Sequence, residues 1–299
     1  MTNFSKSLRF LILAFCIFLP LSVFAQQEET LSELNEEIVQ VPMVVDGLFG
    51  KKELHITATT FHPPGNGPFP LIVLSHGTRS DPAIRQKIGR YRVIPQIREF
   101  LKRGFAVIVP IRRGHGSTGG TWAEGYGSSC DTPFYYEAGM ESAKELLATL
   151  TFVSNLPFVQ PDKILLVGQS AGGFASLATA SLNPPGVIGV VNFAGGQGGN
   201  PETRPGIPCA PARLAETIGK FAKTIRIPVL WHYAENDLFF GPPVVRAMFA
   251  AFQEAGAKGR LVIQPPFGKD GHSLFASKSA IPIWTPEFDS FLKEIEIKK

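Results

Sequence analysis

A buried strand, a sharp turn and a helix follow one another in KILLVGQSAGGFASLATA, which spans Lys163–Ala180. The apolar run ILLV has the length of a strand, and the Ala-rich segment after the turn is typical of a helix. Between them lies the pattern G-x-S-x-G, with Ser170 at its apex. In so sharp a turn, side chains at Gly168 and Gly172 would collide with neighbouring backbone, and the strained serine would present its hydroxyl above the sheet. The stretch therefore predicts a nucleophilic serine, although a glycine turn with an incidental serine would show the same pattern.

Strand and helix patterns alternate along the rest of the chain, without a repeat or a linker between two cores. This alternation predicts one open, mostly parallel central sheet with helices on both faces. The other predicted strands are Val41–Val45, Leu54–Phe61, Pro70–Ser75, Phe105–Pro110, Val187–Phe193, Pro228–Tyr233 and Arg260–Gln264. The other predicted helices are Ile94–Arg103, Phe134–Leu156, Ala212–Ala222, Val244–Ala255 and Pro286–Ile295.

The N-terminus has the pattern of a cleavable export signal over residues 1–25. Two basic residues, Lys6 and Arg9, precede an apolar core, and small residues precede the polar pair Gln26-Gln27. An uncleaved anchor is the alternative, and a lipid anchor on Cys16 fits less well because bulky Phe15 precedes it. The prediction is a periplasmic or secreted protein whose mature part, residues 26–299, forms a single domain without stable membrane insertion.

Composition excludes several partners and cofactors. Without the signal, 27 basic and 25 acidic residues remain, and such a balance with no basic run indicates no nucleic-acid partner. Export also leaves two cysteines, Cys130 and Cys209, which we expect to form a disulfide. No Cys/His cluster predicts a metal, and no cofactor is expected. The segment Gly114–Gly119 fits a dinucleotide-binding pattern, but a long loop follows it where such a site needs a helix.

A nucleophilic serine needs a base and an acid, which in parallel sheets lie beyond the carboxyl ends of the strands. His272 lies in a polar glycine loop after the last predicted strand, where the order Ser, Asp, His places the base. Asp237 follows the strand before it and is the predicted acid. Glu235 is the alternative, whereas Asp270 is too close to His272 in sequence to orient its ring.

Two backbone N–H groups are predicted to bind the oxyanion of an acyl-transfer intermediate. Ala171, at the start of the helix after the serine, supplies one. Thr78, after the Pro70–Ser75 strand, supplies the other, with Gly77 as the alternative. We expect His115, Phe239 and Phe240 to line the substrate pocket, and the loop Gly195–Pro211 to form a partial cap over it.

The segments SHGT, RRGHGSTGG, GQSAGG, AENDLFF and GKDGHS, in this order, resemble the α/β-hydrolase family. The resemblance covers about Pro70 to the C-terminus and is closest to the dienelactone-hydrolase-like and prolyl-oligopeptidase-like branches. It implies Ser170 as nucleophile, Asp237 as acid and His272 as base. The chain departs from dienelactone hydrolases in carrying serine where those enzymes carry a cysteine nucleophile.

The leading functional hypothesis is an exported serine hydrolase acting on small-molecule carboxylic esters through an acyl-enzyme. A peptidase or amidase acting on short peptides is the second hypothesis. A catalytically silent binding protein on the same fold is the third.

Overall fold

The computed structural model describes residues 30–47 and 50–296, which are organised around one eight-stranded sheet. The predicted export signal, residues 1–25, lies outside the described residues. The strands are β1 Glu37–Gly47, β2 Gly50–Phe61, β3 Phe69–Ser75, β4 Ala106–Pro110, β5 Val159–Gln169, β6 Val187–Phe193, β7 Val229–Ala234 and β8 Gly259–Gln264.

The strands lie side by side in the order β1-β2-β4-β3-β5-β6-β7-β8. β2 is antiparallel to both of its neighbours, and β3 to β8 form parallel pairs. From β3 the chain winds first to β4 on one side and then back to β5 on the other. A crevice opens at such a reversal, beyond the carboxyl ends of the strands. Those ends carry the loops that hold every predicted catalytic residue.

Seven α-helices accompany the sheet in the described part of the chain. They are α1 Pro82–Gln86, α2 Ile94–Lys102, α3 Tyr135–Val153, α4 Ala171–Ala180, α5 Pro211–Ala222, α6 Pro242–Glu254 and α7 Ile281–Glu294. Alternate residues of one strand enter two separate cores, as Val73 and Ile72 of β3 do. The first core contains side chains of α3 to α6, and the second contains those of α2 and α7. The predicted mostly parallel sheet with helices on both faces is confirmed.

Four of the described elements begin several residues before the predicted position, and they include β2 at Gly50 and β5 at Val159. β1 begins at Glu37, because its polar residues belong to the exposed face of an edge strand. α7 begins at Ile281 and contains Pro286, which was predicted to be the first residue of this helix. A proline inside a helix removes one backbone donor, and the apolar side chains of Trp284 and Phe288 pack into the second core on either side of it. The short helix α1 was not predicted.

The structure contains a disulfide between Cys130 and Cys209. It joins the loop between β4 and α3 to the loop between β6 and α5. Within the described part of the chain, no helix is long and apolar enough to cross a membrane.

Candidate active site

Ser170 lies at the apex of the turn between β5 and α4, in a backbone conformation that residues other than glycine rarely adopt. Its φ is 57° and its ψ is −126°, and its N–H donates to the carbonyl of Phe193 at 2.9 Å. A Cβ at Gly168 would lie 2.2 Å from the carbonyl oxygen of Gly172, and one at Gly172 would lie 2.0 Å from that of Ser75. Only glycine fits both positions, so the sequence pattern has a direct steric cause. Strain of this kind costs on the order of 1–3 kcal/mol and is held in place by the surrounding sheet.

Asp237 and His272 form a hydrogen-bonded pair beyond the ends of β7 and β8. Both carboxylate oxygens of Asp237 lie 3.1 Å from His272 Nδ1. Oδ1 also accepts the N–H groups of Phe239 at 2.8 Å and Phe240 at 3.0 Å. The carboxylate is only 2% exposed, and these donors compensate for its burial. Glu235, the alternative acid, is exposed, and no hydrogen bond is formed between its carboxylate and the His272 ring.

Two side chains that sequence reasoning did not assign fix the loop that carries His272. Asp270 Oδ1 accepts the N–H groups of His272 and Leu238, both at 3.0 Å. Asn236 binds both the N–H and the carbonyl of Phe267. Asp270 therefore does not contact the imidazole but ties the loop that carries His272 to the loop that carries Asp237. In the sequence, the only indication of these contacts was that Asn236 lies next to Asp237 and that Asp270 lies close to His272.

The loop that carries His272 is also tied to the turn that carries Ser170. Gln169, the residue before Ser170, donates from Nε2 to the carbonyl of His272 at 3.1 Å. Its Oε1 accepts the hydroxyl of Tyr91 at 2.5 Å. Ser170 and His272 line the same chamber, and among the described residues no hydrogen bond joins Ser170 Oγ to the ring. In unliganded sites such bonds often form only when substrate is bound.

The Thr78 and Ala171 N–H groups have no acceptor among the described residues, and both residues border the pocket of Ser170. His76 orients the first of these groups. Its Nε2 accepts the N–H of Arg112 at 3.0 Å, so its Nδ1 carries the proton and donates to the Gly77 carbonyl at 2.7 Å. Because a peptide unit is planar and trans, fixing the Gly77 carbonyl turns the Thr78 N–H the opposite way.

Burial is the main cause that holds the pKa of His76 well below its ordinary value, and the nearby charge of Arg112 adds to it. The ring is therefore neutral, as its two hydrogen bonds require. Gly77 itself packs against the nucleophile, since a Cβ there would lie 3.2 Å from the Cβ of Ser170.

His115 is fully buried and lies behind Thr78. Its Nδ1 faces the carbonyls of Arg112 and Arg113, so its Nε2 is the acceptor for the Thr78 hydroxyl at 2.6 Å. Burial lowers the pKa of His115 to about 4, although Glu124 opposes the shift. The ring belongs to the wall of the chamber that Ser170 and His272 line, and its contact with the hydroxyl supports the loop that carries Thr78.

The sequence model of the alpha/beta hydrolase family matches residues 72–286 of the chain. The chain belongs to the alpha/beta hydrolase family. No functionally curated protein matches the chain at a significant level.

Solved structures share the fold of this hydrolase at low sequence identity. A Klebsiella pneumoniae protein assigned as a dienelactone hydrolase is 16% identical, with a TM-score of 0.55, over 85% of this chain and 98% of that one. Acetyl xylan esterase from Paenibacillus sp. R4 is 16% identical, with a TM-score of 0.55, over 87% and 89%. The acylaminoacyl peptidase of Pyrococcus horikoshii is 13% identical, with a TM-score of 0.59, over 88% of this chain and 43% of the peptidase. At these identities the likeness shows the fold alone.

Two chambers of the hydrolase meet at Ser170. The smaller, of about 200 Å³, is mostly polar and is lined by Ala171, Phe240 and the loop residues 196–202. The larger, of about 430 Å³, is mostly apolar and is lined by His272, Gln169 and Tyr91 among others. Phe239 lies between the chambers and stacks on the His272 ring at 4.0 Å between centroids.

The disulfide joins the two loops that form much of the smaller chamber. One of these loops carries Trp122 and Tyr126, and the other carries residues 196–202. The described residues contain no group of three or more His, Cys, Asp or Glu side chains that could hold a metal ion.

Proposed function

We propose that the protein is a serine hydrolase that cleaves carboxylic esters through an acyl-enzyme intermediate. The observation that carries the proposal is the His272 ring, which meets Asp237 through Nδ1 and borders the same chamber as Ser170. The buried carboxylate requires the proton on Nδ1, so the lone pair of Nε2 is available to take the proton of the serine hydroxyl.

The reaction then has two halves. Ser170 Oγ bonds to the ester carbonyl carbon as its proton passes to His272, and the Thr78 and Ala171 N–H groups bind the oxyanion. The carbon–oxygen bond to the alcohol breaks, and the imidazolium returns its proton to the leaving oxygen. Water, deprotonated by the same ring, attacks the acyl-enzyme and releases the acid and free Ser170.

An ester is favoured over an amide because several structural neighbours are named as esterases, including those from Paenibacillus and Pyrococcus furiosus. The acylaminoacyl peptidase neighbour supports the peptidase alternative. Comparing p-nitrophenyl esters with the matching anilides distinguishes these two activities.

The nucleophile is tested by Ser170→Ala with p-nitrophenyl acetate and butyrate as substrates. We expect loss of turnover and loss of labelling by a fluorophosphonate, with the label of the unmutated protein mapping to Ser170. Ser181→Ala, at the far end of α4, is the matched control and should keep both. Full turnover by Ser170→Ala would refute the proposal.

The proposal extends to export, which is supported by the signal-like pattern of residues 1–25 and by the disulfide. N-terminal sequencing of the mature protein should begin at Gln26. A chain that retains Met1 in a cytoplasmic fraction would refute export.

A further inference from the structure

The two chambers have different roles if Ser170 and His272 act as proposed, and this inference rests on that function. The leaving alcohol must receive its proton from His272, so it must lie on the side of the nucleophile where the imidazole is. Only the larger chamber is lined by His272. The leaving group therefore occupies the larger, apolar chamber, and the acyl group occupies the smaller one beside Ala171.

The wall of the larger chamber contains a buried cation, Arg85, that has no carboxylate partner among the described residues. Arg85 is 7% exposed, and arginine is rarely so buried unless its charge is paired. Its Nη1 donates to the carbonyls of Arg79 and Ser80 at 3.0 and 2.6 Å, and its Nε donates to that of Gly114 at 3.3 Å. The guanidinium carbon also lies 4.1 Å from the ring centroid of Trp122.

These neutral partners leave part of the Arg85 guanidinium unused. Among the described residues, no carboxylate forms an ion pair with Arg85, and its Nη2 has no hydrogen-bond acceptor. A bound anion would complete the hydrogen bonds of a charge that burial otherwise disfavours. The side chain is held rigidly by its carbonyl contacts, so little rotamer freedom would be lost on binding.

Beside Arg85, the wall of the larger chamber carries two further cations and one carboxylate. Lys87 and Arg79 also line the chamber, and in the described part of the chain neither forms an ion pair. Asp270 is the one carboxylate on the wall, and its Oδ1 is already occupied by two backbone N–H groups. The remaining wall includes apolar side chains, which are Ile84, Ile88 and Ala276. The chamber therefore combines an apolar body with an excess of positive charge.

We propose that the leaving group of the substrate is an apolar hydroxy acid whose carboxylate is bound by Arg85. The planar guanidinium matches a carboxylate, and a charged hydrogen bond at a site shielded from water is stronger than one at the surface. Lys87 and Arg79 add an attractive field at the rim of the chamber. Arg85 is thus a specificity-determining residue rather than a member of the catalytic set.

Two esters that differ in this charge, and otherwise by one methyl group, test the inference. 4-Acetoxybenzoate releases an anionic alcohol, and methyl 4-acetoxybenzoate releases its neutral counterpart with the same acyl group. We expect a preference of about tenfold to a hundredfold in kcat/KM for the anionic ester, which is the range for one charged hydrogen-bonding site. Added salt should reduce the preference.

Arg85→Met should lower the ratio of the two kcat/KM values to about threefold or less, which is the part that the field of Lys87 and Arg79 supplies. Arg246→Met removes the same charge from the exposed face of α6 and should leave the ratio unchanged. If Arg85→Met does not fold, Lys87→Met tests the same field, because removal of the exposed charge of Lys87 should lower the ratio by about threefold.

Equal rates on both esters, or a preference for the neutral one, would overturn the inference while leaving the esterase proposal intact. An Arg85→Met or Lys87→Met variant that keeps the full preference would also overturn the role given to these cations. Cleavage of neither ester, together with no fluorophosphonate labelling, would refute the esterase itself and this inference with it.

Discussion

Replacing the carboxylate of Asp237 by an amide should stop catalysis without unfolding the protein. In Asp237→Asn the amide oxygen can take the place of Oδ1 and keep the N–H groups of Phe239 and Phe240, at 2.8 and 3.0 Å. The amide nitrogen then takes the place of Oδ2, which lies 3.1 Å from His272 Nδ1. Because this nitrogen is a donor, and the amide oxygen already accepts two N–H groups, Nδ1 becomes an acceptor and the ring proton moves to Nε2. The base can then no longer accept the proton of Ser170.

The expected loss in kcat is about 10⁴-fold, the size reported for a triad base held in the wrong tautomer. The measurement is steady-state hydrolysis of p-nitrophenyl acetate, with urea unfolding to show that the free energy of unfolding changes little. Asp270→Asn is the matched control, since that carboxylate bonds backbone N–H groups and not the ring. Its kcat should fall far less.

A variant Asp237→Asn that keeps a tenth or more of the activity would refute the assignment of the acid. Equal losses in Asp237→Asn and Asp270→Asn would refute the reasoning in another way, because the tautomer of the ring would then not be the cause. Loss of activity in Glu235→Gln alone would transfer the role to the exposed alternative.

Two further predictions concern stability. Burial lowers the pKa of His232 from 6.5 to about 4, so between these values the unfolded chain binds a proton that the folded protein excludes. The contribution of this group to stability is therefore complete above pH 6.5 and declines as the pH falls towards 4. The drop in Tm between about pH 7.5 and about pH 5 should be smaller in His232→Phe, and an equal drop would contradict this. Replacing Cys130 and Cys209 together by serine should lower the free energy of unfolding by about 4 kcal/mol, because the disulfide closes a long loop, with a sequence separation of 79. Urea unfolding that is unchanged in both the mutant and the reduced protein would contradict this prediction.

Local sequence was sufficient for the nucleophile turn. The conformation of Ser170 needs close approach of the backbone at two flanking positions, and only Gly168 and Gly172 allow it. Chain order was sufficient to propose Asp237 and His272, because parallel strands bring the loops after them to one edge of the sheet. The choice of Asp237 over Glu235 already depended on position alone, and the structure shows which of the two is buried beside the ring.

Contacts between distant segments could not be obtained in this way. Tyr91 reaches Gln169, and Asp270 reaches Leu238, through pairings that depend on how the loops fold over the sheet. His115 was expected to line the pocket, and its burial behind Thr78 follows from the path of the loop after β4. Neither periodicity nor spacing reports such a path.

The sequence by itself determined the type of reaction that this hydrolase is proposed to perform. Short segments are sufficient to predict a strained serine between two glycines, followed along the chain by an acid and a base. Only the tertiary structure decided the two chambers and the position of Arg85, whose charge has no carboxylate partner in the part of the chain that the structure describes. A cavity is the space left between segments far apart in the chain, and a charge is unpaired only when every neighbour in space is known. Both properties belong to the packing of the whole sheet and its loops, and no single stretch of residues contains them.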